Sequence, residues 1–321
     1  FNLHKAQVIQ NITNSMFEYN SYGLRISSEL LLPELIESNG NDKTDITILR
    51  GNLEPPKLEP TLTNCYCKLT EDEAYLAWEQ VGTFLVRGGR EIIVDLITNV
   101  EESIVRLFLL GAGLGMLLHQ RGLFLLHAST VKIGDRAVSF MGDKGWGKST
   151  TAGALHRRGH QLMTDDVTAI DLSNPQCPMV LPGYGQLKLW PESAIALGNN
   201  PETLPLLHPQ LEKRDRLIKQ DLALNPVPLK QIYLLGGGEK LAIENLSAQQ
   251  ALGAVMHNWY CARFGSQMMQ AIDMSEHFHR CTSLINQIQM SCLKREKSLD
   301  ALDKIAQLIE SHLDPTQPLA I

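Results

Sequence analysis

The chain has 321 residues, of which 44% are hydrophobic and 20% are charged, and its formal net charge is -6. This is the composition of an ordinary globular protein that is long enough for one large domain or two average ones. The acidic balance argues against a nucleic-acid-binding protein, which normally carries a basic face. Six irregularly spaced cysteines and the lack of a signal-peptide pattern at residue 1 predict a cytoplasmic protein.

Residues 1–105 are predicted to form a small mixed α+β domain. The segments "DITILRG" and "EIIVDLI" are rich in Ile and Val and end in turn residues, so each predicts a strand. The segment "VRGGRE" carries a Gly-Gly pair that is typical of a hairpin turn. This part of the sequence contains no pattern that indicates catalysis.

Residues 106–321 predict an α/β domain that ends in helices. The apolar run Leu107–Leu118 is too short to span a bilayer and predicts a buried helix, so we expect no membrane association. Strands are predicted over "GLFLLHAS", "DRAVSFM", "HQLMTDD", "VTAIDL", "GYGQLKLW" and "LKQIYLL". Helices are predicted over "KSTTAGALHRR", with Gly159 as its C-terminal cap, and over "SAQQALGAVMHNWYCARF", "SEHFHRCTSLINQIQMSCL" and "SLDALDKIAQLIESHL".

The segment "GDKGWGKS" fits the pattern G-x-x-x-x-G-K-[ST] of a phosphate-binding loop. Its glycines let backbone N–H groups turn toward phosphate oxygens, and the helix that follows presents its positive end to the same anion. Lys148 is expected to reach the β- and γ-phosphates of ATP, and the Ser149 hydroxyl is expected to bind Mg²⁺. The predicted nucleotide-binding residues are Gly142, Asp143, Lys144, Gly145, Trp146, Gly147, Lys148, Ser149 and Thr150.

Two adjacent carboxylates, Asp165 and Asp166, follow the loop after only one helix and one strand. This short interval predicts that their strand lies directly beside the strand that leads into the loop, with both carboxylates facing the phosphates. Two acids in such a position can divide the work, one holding Mg²⁺ and the other taking a proton from an attacking hydroxyl. Taken alone, the pair indicates an acidic turn between two strands more than it indicates catalysis.

The segments "HAS", "GDKGWGKST" and "RRGHQLMTDDV" together resemble the core of the HPr kinase/phosphorylase family of P-loop kinases. That family shares its fold with ATP-dependent phosphoenolpyruvate carboxykinases. The resemblance implies that Asp165 is the general base toward a seryl hydroxyl, that His127 lies beside it, and that Asp166 binds the metal with Ser149. It also implies ATP and Mg²⁺ as cofactors and a homo-oligomeric assembly.

The wider chain is similar to a subgroup of these kinases that acts on lasso-peptide precursors. The similarity lies in "SYGLRISSELLLPEL", "LLHQRGLFLLHAS", "PGYGQLKLWPES" and "EKRDRL". It implies that the acceptor is a serine of a peptide or small protein. One departure is Thr150, which stands where HPr kinases carry a glutamate after the loop serine.

Basic side chains beyond the loop are candidates for neutralising charge on the transferred phosphoryl group. Lys188 lies in "QLKLW" and Lys213 lies in a polar stretch, and Lys213 is the one that we select as catalytic, mainly on the resemblance. Two further functions stay open at this point. The protein could phosphorylate free serine or another small metabolite, or it could be a regulatory module that binds ATP without transferring phosphate.

Overall fold

Three β-sheets, and the helices between them, form the fold. It is described here from a computed structural model that covers residues 15–40, 43–61 and 64–313. The first sheet contains the strands β1 (Phe17–Ser21), β2 (Leu24–Ser28), β3 (Ile36–Glu37), β4 (Ile46–Arg50), β5 (Glu59–Pro60), β6 (Tyr66–Leu69), β7 (Glu73–Trp78), β8 (Gly82–Arg87) and β9 (Glu91–Leu96). Their order across the sheet is β3-β1-β2-β4-β9-β8-β7-β6-β5.

The described residues before position 102 form strands, turns and loops, without a helix. The sequence predicts a mixture of helices and strands for this part of the chain. For the described residues that prediction is wrong, because they form strands that pair side by side across the whole sheet. The predicted strands at 45–51 and 91–97 are confirmed as β4 and β9. Gly88 and Gly89, both with positive φ, form the predicted turn between β8 and β9.

One nearly continuous helix follows the first sheet. It consists of α1 (Glu102–Phe108), a π-helical turn (Leu109–Gly113, called the π-turn below) and α2 (Leu114–Gln120). By length and composition this run could cross a membrane, but 61% of its most apolar window is buried inside the protein. Burial on that scale is typical of a core helix, as the sequence predicts.

The described residues after α2 form further strands and helices. The strands are β10 (Phe124–Leu126), β11 (Ser129–Ile133), β12 (Arg136–Met141), β13 (Gln161–Thr164), β14 (Thr168–Asp171), β15 (Met179–Val180), β16 (Gln186–Leu189), β17 (Leu206–His208), β18 (Leu211–Leu217), β19 (Val227–Gly237), β20 (Ala242–Asn245) and β21 (Gln289–Arg295). The helices are α3 (Lys148–Arg157), α4 (Pro191–Ala196), α5 (Ala248–His257), α6 (Gly265–Ala271), α7 (Met274–Gln287) and α8 (Leu302–Leu313).

The second sheet has the order β10-β14-β15-β19-β12-β11-β13, and β21 joins β19 to β20. The predicted adjacency of the aspartate strand and the loop strand is wrong, because β11 lies between β13 and β12. Since β11 is antiparallel to both, β12 and β13 run in the same direction. Their carboxyl ends therefore meet at one edge of the sheet, where the loop and the aspartates follow.

The C-terminal helices agree with the sequence only in part. Ser247 and Gln250 form the capping box of α5, as predicted. The helix predicted from residue 275 is instead capped by Asp273 and ends at Gln287. The segment that follows it, "QMSCLKR", is the strand β21, because it completes the sheet beside β19 and β20. The last helix begins at Leu302, four residues after the serine predicted to cap it.

Two hydrophobic clusters form the core. The larger one extends from the first sheet through the π-turn to Phe264, so it joins the first sheet to the second. The smaller one packs α3 and α8 against the second sheet. The small third sheet, with the order β16-β18-β17, lies beside them. The domain boundary predicted near residue 105 stays a prediction.

Candidate functional site

The loop 142–147 connects β12 to the first turn of α3. Gly147 adopts a left-handed conformation (φ 79°) and caps the helix. Position 147 favours glycine for its conformation. A Cβ atom there would lie 2.6 Å from a guanidinium nitrogen of Arg295, so the end of that flexible side chain would have to shift. The loop thereby directs the amino end of α3, with its unpaired N–H groups, into a cavity.

Lys148 is the first residue of α3, and its side chain turns back over the loop. Its Nζ donates hydrogen bonds to the carbonyl oxygens of Gly142 (2.7 Å) and Asp143 (3.3 Å). Burial lowers the pKa of Lys148, and the neighbouring carboxylates of Asp166 and Asp165 oppose that shift. The ammonium is thus held above the loop, where it can exchange a carbonyl oxygen for a phosphate oxygen.

Asp165 is buried and is fixed by three donors. The hydroxyl groups of Ser129 and Ser149 donate to Oδ1, the latter over 2.9 Å, and the backbone N–H of Lys188 donates to Oδ2 over 3.0 Å. Burial raises the pKa of Asp165, although the hydrogen bonds from Ser129 and Lys188 oppose the shift. The Ser149 contact places this carboxylate at the loop serine.

Asp166 has a left-handed backbone (φ 76°), which only a few non-glycine residues adopt. Its Oδ2 accepts from Lys188 Nζ over 2.9 Å, and its Oδ1 lies 3.3 Å from His127 Nε2. Burial alone would raise the pKa of Asp166, but the charges of Lys188 and Arg263 outweigh it and hold the pKa well below its usual range. The carboxylate therefore stays ionised at neutral pH.

The structure differs here from the contacts that the resemblance implies. His127 lies against Asp166 rather than Asp165, and Ser149 lies against Asp165 rather than Asp166. The physical reason is the left-handed turn at Asp166, which directs the two neighbouring side chains to different partners. Burial lowers the pKa of His127 to about 4, although nearby Asp166 opposes the shift, so the imidazole is uncharged at neutral pH.

One cavity of about 570 Å³ collects most of the predicted site residues. His127, Asp165, Asp166 and Lys213 line it, together with the loop residues Lys144, Gly145, Gly147, Lys148, Ser149 and Thr150. The other three predicted loop residues, Gly142, Asp143 and Trp146, line a separate cavity. There His257 lies 2.9 Å from Asp143, and both side chains are exposed.

Lys213 extends from β18 over the ring of Trp190, with its Nζ 5.6 Å from the ring centre. Burial lowers its pKa, and the carboxylates of Asp165 and Asp166 oppose the shift. Lys188, the other basic candidate in the sequence, makes the direct ion pair with Asp166. The signal for it was present, because Lys188 is the single cation in the short strand "QLKL".

Arg263 also lines the cavity and was not predicted. Its guanidinium stacks over the ring of Tyr260 at 4.5 Å and hydrogen-bonds to the phenol oxygen of that residue. Arg263 lies in a short 3₁₀ segment, Tyr260–Phe264, which the sequence predicted to be the end of a long helix. No local pattern links this segment to the aspartates.

The residues at the loop fit a magnesium ion by the chemistry of their donors. The Ser149 hydroxyl and the Asp165 carboxylate already lie within 2.9 Å of each other, and hard oxygen ligands of this kind suit Mg²⁺. The Thr150 hydroxyl is turned away and donates to Ser193 over 3.0 Å. Within the described residues, the set that could hold the ion at the loop is Ser149 with Asp165.

Neither the family models nor the curated proteins that were compared match this chain. Among solved structures, the Hpr(Ser) kinase/phosphatase from Coxiella burnetii is similar, with 15% sequence identity and a TM-score of 0.34. The match covers 59% of this chain and 95% of that chain. A similarity at this level carries no conclusion about the site, so the proposals below rest on the contacts of this chain and on its sequence.

Proposed function

We propose that this chain is an ATP-dependent kinase that transfers phosphate to a serine hydroxyl. The observation that carries the proposal is that the two adjacent aspartates have different partners. Asp165 contacts the loop serine, and Asp166 faces His127 and Lys188 in the same cavity. A module that only binds nucleotide needs one carboxylate at its loop serine. The second carboxylate is paired with a histidine and a lysine. It has a role in the cavity if it binds the hydroxyl of an acceptor.

The charge of the cavity suits a triphosphate. Seven lysines and arginines line it against three aspartates and glutamates. The basic set is Lys144, Lys148, Lys188, Lys213, Arg263, Arg295 and Lys297. This excess of positive charge, together with the amino end of α3, favours a polyanion and would offset the charge that develops on the transferred group.

Mg²⁺ would be held by Ser149 and Asp165, and when bound it supplies charge neutralisation to the phosphate oxygens. The hydrogen bonds from Ser129 and Lys188 fix the Asp165 carboxylate, so its orientation does not depend on the ligand. Lys148 would exchange its loop carbonyl partners for phosphate oxygens. These residues position the donor and need not take part in proton transfer.

Asp166 is the carboxylate that we assign to the acceptor. Its Oδ1, the oxygen not paired with Lys188, would accept a hydrogen bond from the seryl hydroxyl and orient it. The hydroxyl oxygen attacks the γ-phosphorus, the bond to the β–γ bridging oxygen breaks with its electron pair, and ADP leaves. The hydroxyl proton passes to Asp166 and then to solvent. Because the transition state is loose, a base of low pKa suffices when its main task is orientation.

For the acceptor we propose a serine of a peptide or small protein, most specifically of a lasso-type precursor peptide. This proposal rests on the sequence resemblance. Free serine or another small hydroxylated metabolite would use the same catalytic residues, so it is the alternative that an acceptor assay has to exclude. A regulatory module without phosphoryl transfer is the third outcome.

The test is mass spectrometry after incubation with Mg²⁺-ATP and either a serine-containing precursor peptide or free serine. Asp165→Asn and Asp166→Asn are assayed beside the wild type. We expect one phosphate on the peptide with the wild type. Asp166→Asn should lose transfer while still binding nucleotide, and Asp165→Asn should require a higher Mg²⁺ concentration. Nucleotide binding without transfer to either acceptor would contradict the proposal.

The same comparison tests the assignment of the two aspartates. If Asp165→Asn abolishes transfer at every Mg²⁺ concentration while Asp166→Asn shifts only the Mg²⁺ requirement, the roles are those that the sequence resemblance implied. The kinase proposal would survive that result, but the assignment would be reversed.

A further inference from the structure

Part of the cavity wall is apolar and contains none of the proposed catalytic residues. This part, called the acceptor chamber below, is formed by Cys65, Trp78, Phe108, Gly111, Ala112 and Phe264. Three separate parts of the fold contribute to it: the first sheet, the helix with its π-turn, and the 3₁₀ segment that follows α5. None of the six side chains carries a charge.

A chain of contacts connects the chamber to the acceptor carboxylate. Phe264 follows Arg263, whose guanidinium covers the Tyr260 ring, and that ring lies 6.2 Å from the ring of His127. His127 in turn lies 3.3 Å from Asp166. The donor side of the same cavity is formed instead by the loop and by the segment from Arg295 to Leu302. An acceptor that reaches Asp166 therefore has the chamber beside it.

Small residues keep the chamber open. Gly111 and Ala112 lie in the π-turn, and irregular helical turns of this kind occur frequently at functional sites. The rings of Trp78 and Phe108 pack against each other with centroids 4.8 Å apart and form the aromatic part of the wall beside these small residues. Protein cores normally fill such apolar space, because voids forfeit contacts. An apolar group of the acceptor would restore those contacts.

We infer that the acceptor serine is flanked by an apolar side chain that fills this chamber, and that Ala112 limits the size of that side chain. The inference rests on the proposed kinase function and narrows its acceptor. A peptide can supply an apolar group next to the reacting hydroxyl, whereas free serine and small polar metabolites cannot. The chamber thus favours a peptide or protein acceptor over a metabolite.

A peptide library with a fixed serine and varied neighbours tests the inference in the full chain with Mg²⁺-ATP. We expect kcat/KM to be about tenfold higher or more when Leu or Phe is next to the serine than when Gly or Asp is there. A peptide with Ala in place of the serine should bind in the presence of Mg²⁺-ADP with the same preference in Kd, measured by calorimetry. That binding measurement is independent of turnover.

Ala112→Leu fills the chamber, and Ala112→Ser is the control of nearly equal size. Ala112→Leu should raise KM for the apolar peptides and change kcat little, while Ala112→Ser should have a smaller effect. Leu107 also lines the cavity, next to Phe108 in the chain. Leu107→Ala enlarges the cavity there and should shift the preference from Leu toward Phe. Leu107→Ala keeps the inference testable if Ala112→Leu does not fold, as judged by Tm and by the Kd for ADP.

The outcomes separate the inference from the proposed function. Phosphorylated peptides without an apolar preference, or free serine used as well as the best peptide, would overturn the inference and leave the kinase intact. Nucleotide binding without phosphorylation of any peptide or of free serine would overturn both. If both Ala112→Leu and Leu107→Ala leave the preference for an apolar neighbour unchanged, the apolar group binds elsewhere. That result would overturn the role of the chamber.

Discussion

The donor wall of the cavity comes largely from one short stretch within residues 144–150, whereas the acceptor chamber is assembled from segments near residues 65, 78, 108–112 and 264. The donor wall recognises its ligand with backbone N–H groups and cations, and the chamber offers only shape and apolar surface. A phosphate group is the same in every donor, so a fixed local motif suffices for it. An acceptor varies in its neighbouring groups, and the chamber can change through single substitutions in several elements.

Lys148→Met should have the largest effect, because it removes the cation nearest the loop. We expect kcat/KM for phosphoryl transfer to fall by about 10²- to 10³-fold, the range found when one preorganised charge-stabilising group is lost. The assay is ATP-dependent phosphorylation of the best peptide. Lys230→Met, on an exposed position of β19, is the matched control. An equal loss of kcat/KM in both variants would show that the donor wall has no special role in transfer.

Gly147→Ala should weaken nucleotide binding by about tenfold, because alanine disfavours, by roughly 1–2 kcal/mol, the left-handed backbone that shapes the phosphate loop. The added Cβ also meets Arg295. Calorimetry with ADP and Mg²⁺ measures the effect.

Gly159→Ala separates the effect of a left-handed backbone from the effect of the space available to a Cβ atom. Gly159 also has positive φ (96°), but a Cβ atom at this position would meet nothing within 4 Å, so only backbone strain is added. The substitution should lower Tm without a comparable loss of nucleotide affinity. If both variants bind ADP equally well, the tight fit at Gly147 does not contribute to the donor wall.

Lys213→Met should have an intermediate effect, because Lys213 lines the cavity without a direct contact to either aspartate in the described hydrogen bonds and ion pairs. We expect kcat to fall about five- to tenfold, as for one charge-assisted contact to the transferred group. Lys219→Met, which is exposed on the chain after β18, is the control. A change confined to KM for the peptide would move Lys213 from the donor side to the acceptor side.

His127 should make the smallest contribution, seen in the pH dependence of stability. Its pKa is about 4 in the folded protein and about 6.5 in an unfolded chain, so the unfolded state binds more protons between these values. Stability is therefore lost as the pH falls from 6.5 toward 4. In His127→Gln this loss should be smaller, as measured by Tm against pH. Identical slopes in the variant and the wild type would show that His127 is not held neutral.

The sequence could predict what is local. The phosphate loop, α3 with its end at Gly159, and the strand before the aspartates each follow from contiguous patterns, and the structure has them at the predicted positions. The insertion of β11 between β12 and β13 could not be predicted in this way, because strand order depends on long-range pairing. The segment "QMSCL" was mistaken for helix for the same reason, since its strand state comes from β19 and β20.

The partners of the aspartates could not be predicted from the sequence either, because they depend on long-range contacts. The sequence places Asp165 and Asp166 at a strand end, but the left-handed backbone at Asp166 decides which carboxylate faces the loop. Lys188 reaches them through β16 of the third sheet, and Arg263 reaches the cavity through the 3₁₀ segment. Both come from parts of the chain that no spacing rule connects to residue 165.

The π-turn has a consequence for how the chain can vary in length. A π-turn holds about one residue more than a regular helical turn, so it behaves as a one-residue insertion accommodated within a helix. Deleting one residue between Leu109 and Gly113 would restore a regular helix and rotate α1 by about 100° relative to α2. Leu107 and Phe108 would then leave the cavity, although every side chain of the first sheet was unchanged. The shape of the acceptor chamber thus depends on the length of this helix as much as on its composition.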